Sequence, residues 1–384
     1  MERATTVAKR TTDVHVAVIT GAEGGLSLSG DVAHCKAALL YADRVTLYSP
    51  RAFLLSSLVN GSTLPMQDLL ALMMDFKAAY PPDIVAKVTE FQAVLASRPA
   101  STMTSPQRRE FRRLLAEMDP AREQLRAISI EQWRTAGGPE LEPALASGAL
   151  EIDPITRDRD GFTGTGTDHI IDSLVARVGE LLAGGPTYPL FDDDMRDLVR
   201  LGMRDGLFSR APQVHRRSRD AGVAAGLVDR LPNFPLATMD EVISIRDELR
   251  APLGRFRSGV RDISEGIEVE VTDEDFGAQV EEAWVTKVGP ALDEIDQVVR
   301  TNSSLRSLAG HAIRDPGGLM AGGASAFMQV AVGRPGSLAA AVSLGVTGVV
   351  SGARALRDRD VALYQAHGAQ FYFLHGANER MGSS

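Results

Sequence analysis

The fold is decided near the start of the chain, where residues 14–50 read VHVAVITGAEGGLSLSGDVAHCKAALLYADRVTLYSP. Val14–Ile19 is a short apolar run bounded by turn residues, which is typical of a buried strand. Val32–Ala42 predicts a helix that Asp31 would cap, and Arg44–Tyr48 predicts a second strand. A strand, a helix and a strand over this length predict a βαβ unit with parallel strands and a right-handed crossover.

Helical patterns dominate the rest of the chain. In Asp240–Ile263 apolar residues recur every three or four positions through Pro252, which predicts one kinked helix. Further helices are predicted at 66–80, 84–95, 107–118, 168–182, 193–208 and 275–300, with a bend at Gly289-Pro290. Further strands are predicted at Ala149–Ile155, Ile267–Val271 and Phe371–Leu374.

These patterns predict an α/β, predominantly helical fold, with a small parallel sheet from the N-terminal βαβ unit and a larger helical portion. A polar loop rich in Gly and Thr, Arg157–Thr167, is the best candidate for a boundary. We therefore predict an N-terminal α/β portion over 1–155 and a mainly helical portion over 156–384. The late strand at 371–374 is a candidate to return to the N-terminal sheet.

Composition restricts the class of partner and the compartment. The 41 basic and 50 acidic residues give a formal net charge of −9, which argues against a broadly basic, nucleic-acid-coating surface. Cys35 is the only cysteine, so the chain cannot form an internal disulfide, which is typical of a reducing compartment. No signal peptide is visible, and we expect a soluble, cytoplasmic protein.

The glycine-rich loop Gly21–Gly30 is the first candidate anion site, with Gly24, Gly25 and Ser29 as candidate ligand residues. Backbone N–H groups and the start of the next helix both favour an anion. The loop lacks the spacings of a P-loop and of a dinucleotide-binding loop, and Glu23 and Asp31 would repel phosphate. A plain connecting loop is the alternative.

Four arginines on the Asp240–Ile263 helix form the second candidate anion site, and they fall within about 60° of one another beside the apolar face. They are Arg246, Arg250, Arg257 and Arg261. Guanidinium groups at the margin of a buried face either pair with carboxylates from the same molecule or bind an anion such as phosphate. Both alternatives stay open at this point.

The sequence predicts no metal site and no cofactor. No two of the seven histidines lie three or four residues apart, so a short-range zinc motif is missing. The run Asp192–Asp194 is explained by the preference of helix N-termini for acidic side chains. The lone Cys35 lies in an apolar run and is interpreted as a small core residue.

Two uncharged segments near the C-terminus raise the question of a membrane. Gly318–Gly333 and Pro335–Ala353 contain 16 and 19 uncharged residues, whereas a spanning helix needs about 20 that are predominantly apolar. Their Gly, Ala and Ser content favours closely packed helices inside a soluble protein. A membrane-inserting hairpin is the alternative.

Two stretches, KAALLYADRVTLYSP (Lys36–Pro50) and DELRAPLGRFRSGV (Asp247–Val260), resemble parts of bacterial proteins that have no assigned activity. The resemblance therefore implies no function. The sequence favours a cytoplasmic, non-enzymatic interaction or ligand-sensing protein, with a protein or a phosphate-bearing small molecule as partner. The alternatives are an enzyme acting on a phosphorylated small molecule or nucleotide, and a membrane-acting effector that uses residues 318–353.

Overall fold

The computed structural model of the protein describes residues 13–21, 25, 27–59, 74, 81–97, 105, 109, 113, 126–155, 167–209, 211–297, 299 and 369–382. The chain forms two compact units, one from Met1–Glu248 with Val260–Val280 and the other from Leu249–Gly259 with Glu281–Ser384. The division predicted at residue 156 stays a prediction. The predicted helices at 66–80 and 107–118, and the uncharged segments between 318 and 353, lie outside the described residues.

A parallel sheet of four strands lies in the first unit, in the order β3-β2-β1-β4. The strands are β1 (His15–Ile19), β2 (Arg44–Tyr48), β3 (Leu150–Ile152) and β4 (Tyr188–Phe191). Val16 lies opposite Val45 on one side and opposite Tyr188 on the other, so β1 is central. Since both faces of β1 are covered, it is a continuous apolar run without alternation.

The helix α1 (Ser29–Leu39) connects β1 to β2, and this confirms the predicted parallel βαβ unit. The other helices are α2 (Pro50–Val59), α3 (Pro82–Ser97), α4 (Glu142–Ala146), α5 (Thr167–Ala183), α6 (Asp193–Arg204), α7 (Pro212–Asp229), α8 (Met239–Glu248), α9 (Arg250–Glu265), α10 (Phe276–Ala283) and α11 (Tyr372–Met381). Short 3₁₀ helices occupy Gly138–Leu141 and Phe234–Leu236, and residues 126–136 are also helical. The predicted α/β, mostly helical fold is confirmed. None of the described helices has the length and hydropathy that crossing a bilayer requires.

The prediction that Asp31 caps α1 is wrong. The helix begins two residues earlier, at Ser29, and no side chain caps it. Asp31 is fully buried in the first turn, where its Oδ1 accepts a hydrogen bond of 2.7 Å from the Thr20 hydroxyl at the end of β1. Its Oδ2 lies 3.4 Å from Nη2 of Arg51. The carboxylate therefore joins the starts of α1 and α2 to the sheet, a long-range role that a local capping pattern does not reveal.

Cys35 lies on the buried side of α1, with no exposed surface. Burial raises the pKa of its thiol well above the usual value, and the negative charge of Asp31 raises it further. The interpretation of Cys35 as a small core residue is confirmed.

Two predicted strands are absent from the described structure. Residues 267–270 are irregular and lead into a turn at 270–273, in which the Asp273 N–H donates to the carbonyl of Glu270 and the Glu270 N–H donates to the Asp273 carboxylate. Phe371–Leu374 leads into α11, and Phe373 stacks on Phe256 of α9 with ring centroids 5.2 Å apart. Both stretches were too short for their spacing to separate a strand from a helix or turn.

The segment Asp240–Ile263 forms two consecutive helices instead of one kinked helix, since α8 ends at Glu248 and α9 begins at Arg250. The break has a clear cause, because the ring of Pro252 would clash with the carbonyl of Glu248 in a continuous helix. The seven predicted core residues, Val242, Ile245, Leu249, Leu253, Phe256, Val260 and Ile263, are all buried.

A π-helical turn over Trp284–Val288 directly precedes Gly289-Pro290, while the predicted bend there stays a prediction. The Gly289 N–H donates to the carbonyl of Trp284, five residues earlier. Pro290 has no N–H to continue the usual hydrogen-bond ladder, and a single π turn is one way in which a helix accommodates such a residue.

Replacement of Asp31 by Ala should lower the free energy of unfolding by about 3 kcal/mol, because it removes a fully buried carboxylate that bonds to Thr20 and lies 3.4 Å from the mostly buried Arg51 guanidinium. Urea unfolding would measure the change. Glu131→Ala is the control, since its ion pair with Arg134 is exposed to solvent and its loss should have a much smaller effect. Equal effects of the two substitutions would contradict the role given to Asp31.

Two helical glycines should respond in opposite ways to substitution by Ala. A Cβ on Gly202 would lie 2.5 Å from the Phe208 ring, so Gly202→Ala should destabilise the protein by about 1–2 kcal/mol. A Cβ on Gly254 would meet no atom within 4 Å, so Gly254→Ala should stabilise it by about 1 kcal/mol. Thermal unfolding would compare the two, and shifts of the same sign would disprove the packing described at Gly202.

Candidate functional site

The strand order places a topological switch point between β1 and β4. The chain leaves β1 through α1 toward β2 on one side, while β4 lies on the other side and leads into α6. In open α/β sheets, ligands bind outside the carboxyl ends of the strands at such a point. The site is therefore sought where β1 and β4 end.

Asp192 joins the ends of these two strands. It caps α6, as the sequence predicts, by accepting a hydrogen bond of 2.9 Å from the Met195 N–H. Its second carboxylate oxygen accepts a hydrogen bond of 2.8 Å from the Gly21 N–H, just after β1. Gly21 is required there, because a Cβ at this position would lie 2.7 Å from Cβ of Asp194.

A cavity of about 150 Å³ lies beside this junction, and we call it the switch-point cavity. It is bounded by α1, the end of β4, α6, α7 and the segment 271–280, all within the first unit. Four of its lining residues carry ionisable side chains: His34, Arg196, Asp229 and Arg230. Apolar side chains, including Phe191 and Phe276, form much of the remaining wall.

The segment 271–280 packs closely on α7 because two glycines face it. A Cβ on Gly222 would lie 2.7 Å from Cγ2 of Val271, and one on Gly226 would lie 2.9 Å from Cγ1 of Val280. Larger residues would push the segment away from the helix. The two glycines therefore set the width of the cavity.

The orientation of His34 is fixed by its own helix. Nδ1 lies 2.9 Å from the carbonyl oxygen of Gly30, which can only accept, so Nδ1 carries a proton. In the neutral ring Nε2 is then an acceptor, and no hydrogen-bond partner for it lies among the described residues. Nε2 of His34 can therefore accept a hydrogen bond from a ligand, or donate one when the ring is protonated.

The two arginines of the cavity are held by neighbours. Nη2 of Arg196 forms an ion pair with Asp193, while its buried Nε has no hydrogen-bond partner within the described part of the chain. Nη1 of Arg230 donates a hydrogen bond of 2.7 Å to the carbonyl of Gly226. Nη2 of Arg230 also donates a hydrogen bond of 3.4 Å to the carbonyl of Gly277.

The charge of His34 lowers the pKa of two nearby carboxylates, Asp192 and Asp229. Burial raises the pKa of Asp192, although hydrogen bonds from Met195 and Gly21 and the charge of His34 oppose the rise. Desolvation likewise raises the pKa of Asp229, while the positive charges of His34 and Arg230 lower it. Within the described residues, no group of three His, Cys, Asp or Glu side chains could hold a metal ion.

Two candidate residues of the glycine-rich loop, Gly25 and Ser29, lie outside this cavity. Gly24 is not among the described residues, and Gly25 is exposed with a φ of +78°. Ser29 begins α1 and lines a separate groove of about 420 Å³, next to the 2.7 Å ion pair between Lys36 and Glu140. Anion binding by this loop stays a prediction.

The arginine stripe is divided between two helices, with Arg246 in the last turn of α8 and Arg250, Arg257 and Arg261 on α9. Arg246 is half-buried and donates through Nη2 to the backbone carbonyl of Asp43. Arg250 is exposed and Arg257 half-buried. For Arg246, the partner comes from within the molecule.

Arg261 lies near a buried carboxylate. Burial raises the pKa of Asp220, while the hydrogen bond from the Ser264 hydroxyl and the charge of Arg261 lower it. This favours the pairing alternative for Arg261. Anion binding by the stripe as a whole stays a prediction.

Sequence reasoning missed the four ionisable residues of the switch-point cavity because they come from three helices far apart in the chain. The signal that could have found them is YPLF at 188–191, directly before Asp192. A proline such as Pro189 is unfavourable in a central strand, yet β4 lies at the edge of the sheet, where proline is tolerated. A strand there would have placed Asp192 at the switch point.

Asp192→Asn should alter how stability depends on pH. Because the pKa of Asp192 is raised in the folded state, the native state binds the proton of Asp192 more tightly than the unfolded state does. This proton binding stabilises the native state at low pH. The stabilisation is lost as pH rises from the unfolded-state pKa of about 3.9 through the raised folded-state pKa. Asn does not titrate, so the stability of the natural protein relative to Asp192→Asn should fall over that window. Urea unfolding at a series of pH values measures this, and a rise with pH would contradict dominant desolvation.

Comparison with known proteins adds no template for this arrangement of side chains. No protein-family model, no curated protein and no solved structure matches the chain. What the switch-point cavity binds is therefore inferred from its own residues.

Proposed function

We propose that the protein is a ligand-sensing protein that binds a small polar molecule in the switch-point cavity. The observation that carries the proposal is the convergence of His34, Arg196, Asp229 and Arg230 on one cavity beside the carboxyl end of β4. Pockets of this kind combine apolar walls with a few polar groups that fix the orientation of a ligand.

The size of the cavity supports a small ligand. Its volume of about 150 Å³ equals that of cavities that hold a benzene-sized molecule. The strands, the two glycines of α7 and the segment 271–280 that packs on them define its walls, so the ligand would meet a largely formed site. Preformed sites bind with less loss of conformational entropy.

The charge around the cavity disfavours a phosphate-bearing ligand. Asp192, Asp193 and Asp194 lie at the end of β4, and Asp229 lines the cavity itself. These carboxylates would repel a doubly charged phosphate, whereas they would attract an ammonium or hydroxyl group. An enzyme acting on a phosphorylated compound or nucleotide is therefore the second candidate, and it relies on the stripe and the glycine-rich loop.

A cytoplasmic location and a bacterial source belong to the same proposal. The lone thiol of Cys35 is typical of a reducing compartment, and the sequence resemblance is to bacterial proteins. A protein partner that responds to the ligand would complete the sensing role.

Filling the cavity should abolish ligand binding. Ala225 lines the cavity and is buried, so the larger side chain of Ala225→Leu would enter the space that the ligand needs. We expect a panel of amino acids, amines, carboxylates, sugars and nucleotides to contain compounds that raise the melting temperature of the natural protein but not of Ala225→Leu. Thermal-shift measurements followed by calorimetric titration would check this.

Ala33→Leu is the matched control, because Ala33 is exposed and lines the groove beside Ser29 instead. It should leave binding unchanged. Urea unfolding would verify that Ala225→Leu stays folded, with a loss of no more than about 3 kcal/mol. The proposal fails if no compound binds the natural protein. It also fails if Ala33→Leu abolishes binding of the compounds while Ala225→Leu does not.

A further inference from the structure

Residues 266–275, which we call the strap, connect α9 to α10 and contribute Val271 to the wall of the switch-point cavity. The strap contains neither helix nor strand. Three side-chain contacts hold it on α6 and α7: Arg219 with the carbonyl of Ile267, His215 with Glu270, and Arg200 with Glu274. Segments held mainly by side chains open more readily than helices and strands do.

Asp220 is a buried carboxyl group on α7 beside the base of the strap. Its Oδ1 contacts the Ser264 hydroxyl at the end of α9, just before the strap begins. Arg219 and Arg261 influence it through their charge, but within the described residues neither forms an ion pair with it. Burial without an ion-paired cation favours the neutral form of a carboxyl group.

The Ser264 hydroxyl lies between two acceptors. Its Oγ is 3.0 Å from the carbonyl of Arg261, which can only accept a hydrogen bond. When Asp220 is neutral, its O–H can donate to Ser264 while Ser264 donates to that carbonyl. When Asp220 is ionised, the one hydroxyl proton of Ser264 has to serve both acceptors. Each contact therefore has a proton of its own only when Asp220 is protonated.

Ionisation of Asp220 would weaken the base of the strap in two ways. The negative charge would repel Glu265, the last residue of α9, whose own charge raises the pKa of Asp220. It would also attract Arg219, because a carboxylate is a stronger acceptor for a guanidinium than the Ile267 carbonyl is. In its present position the buried Nε of Arg219 has no hydrogen-bond partner among the described residues.

We propose that Asp220 is a pH-sensitive latch, whose protonated side chain fastens the end of α9 and the base of the strap to α7 and whose ionisation releases the strap. The latch acts within the first unit and needs no ligand. Because Val271 lines the switch-point cavity, the latch would also control access to that cavity, and this consequence alone rests on the proposed function.

Hydrogen exchange followed by mass spectrometry tests the latch, because protection factors of the strap amides report how often the strap opens. Burial raises the pKa of Asp220, whereas an open strap exposes the carboxyl group to water and returns its pKa to about 3.9. Opening therefore becomes more favourable as pH rises from that value through the raised pKa. Protection should fall about tenfold for each unit by which burial raises the pKa, which NMR titration of the Asp220 carboxyl carbon measures independently.

Variants separate this effect from other titrating groups. Asp220→Asn should remove the part of the fall that Asp220 causes, and what remains belongs to groups such as His215 with its partner Glu270. Ser264→Ala should move the fall to higher pH, because the hydrogen bond from Ser264 lowers the pKa of Asp220. Asp275→Asn is the matched control, since Asp275 is an exposed residue of the strap and should leave the pH dependence unchanged.

Equal pH dependence of strap protection in the natural protein and in Asp220→Asn would overturn the latch. A fall of the same size at the amides of β1 would also overturn it, since the whole unit would then be opening. If circular dichroism shows that Asp220→Asn is unfolded, the natural protein and Ser264→Ala decide. The latch is then wrong if the strap does not open at the pH where Asp220 titrates, or if Ser264→Ala does not move that pH. No outcome involves a ligand, so the latch and the proposed function can fail independently.

Discussion

The carboxylate of Asp192 is the interaction on which the arrangement of the sheet edge depends. It accepts hydrogen bonds from the backbone of Gly21 and of Met195, which are 174 residues apart in the chain. Those two bonds hold the start of the loop after β1 against the start of α6. Arg196, which follows this junction in the first turn of α6, lines the switch-point cavity.

The site combines burial with charge in a way that single interactions would not reveal. Desolvation raises the pKa of Asp192 and Asp229, and the positive charge of His34 opposes both rises. Nearby positive charges and hydrogen bonds both favour the ionised form of a carboxylate. The backbone N–H groups of Met195 and Gly21 therefore offset part of the desolvation of Asp192, and the charge of Arg230 offsets part of that of Asp229.

The sequence predicted the central part of the fold well, and the candidate site poorly. The apolar runs of β1 and β2 and the spacing of Val242 to Ile263 are local signals, and they correctly predicted the two strands and the buried positions, although not the break between α8 and α9. The strand β4 was missed because its proline is acceptable only at a sheet edge, which is a property of the assembled fold. His34, Arg196 and Asp229 show no common spacing, since three separate helices bring them together. Gly25, Ser29 and the arginines were chosen from local motifs, and local motifs do not report which side chains share a cavity.

The complete burial of the single thiol gives this protein a built-in reporter of helix opening. Thiolates, and not thiols, react with alkylating reagents, so Cys35 is protected both by its surroundings and by its raised pKa. Chemical labelling must therefore wait until α1 detaches from the strands beneath it. The labelling rate of Cys35 would therefore report how often α1 is transiently exposed, with no need for an engineered probe. The same helix carries His34, next to Cys35 in the chain.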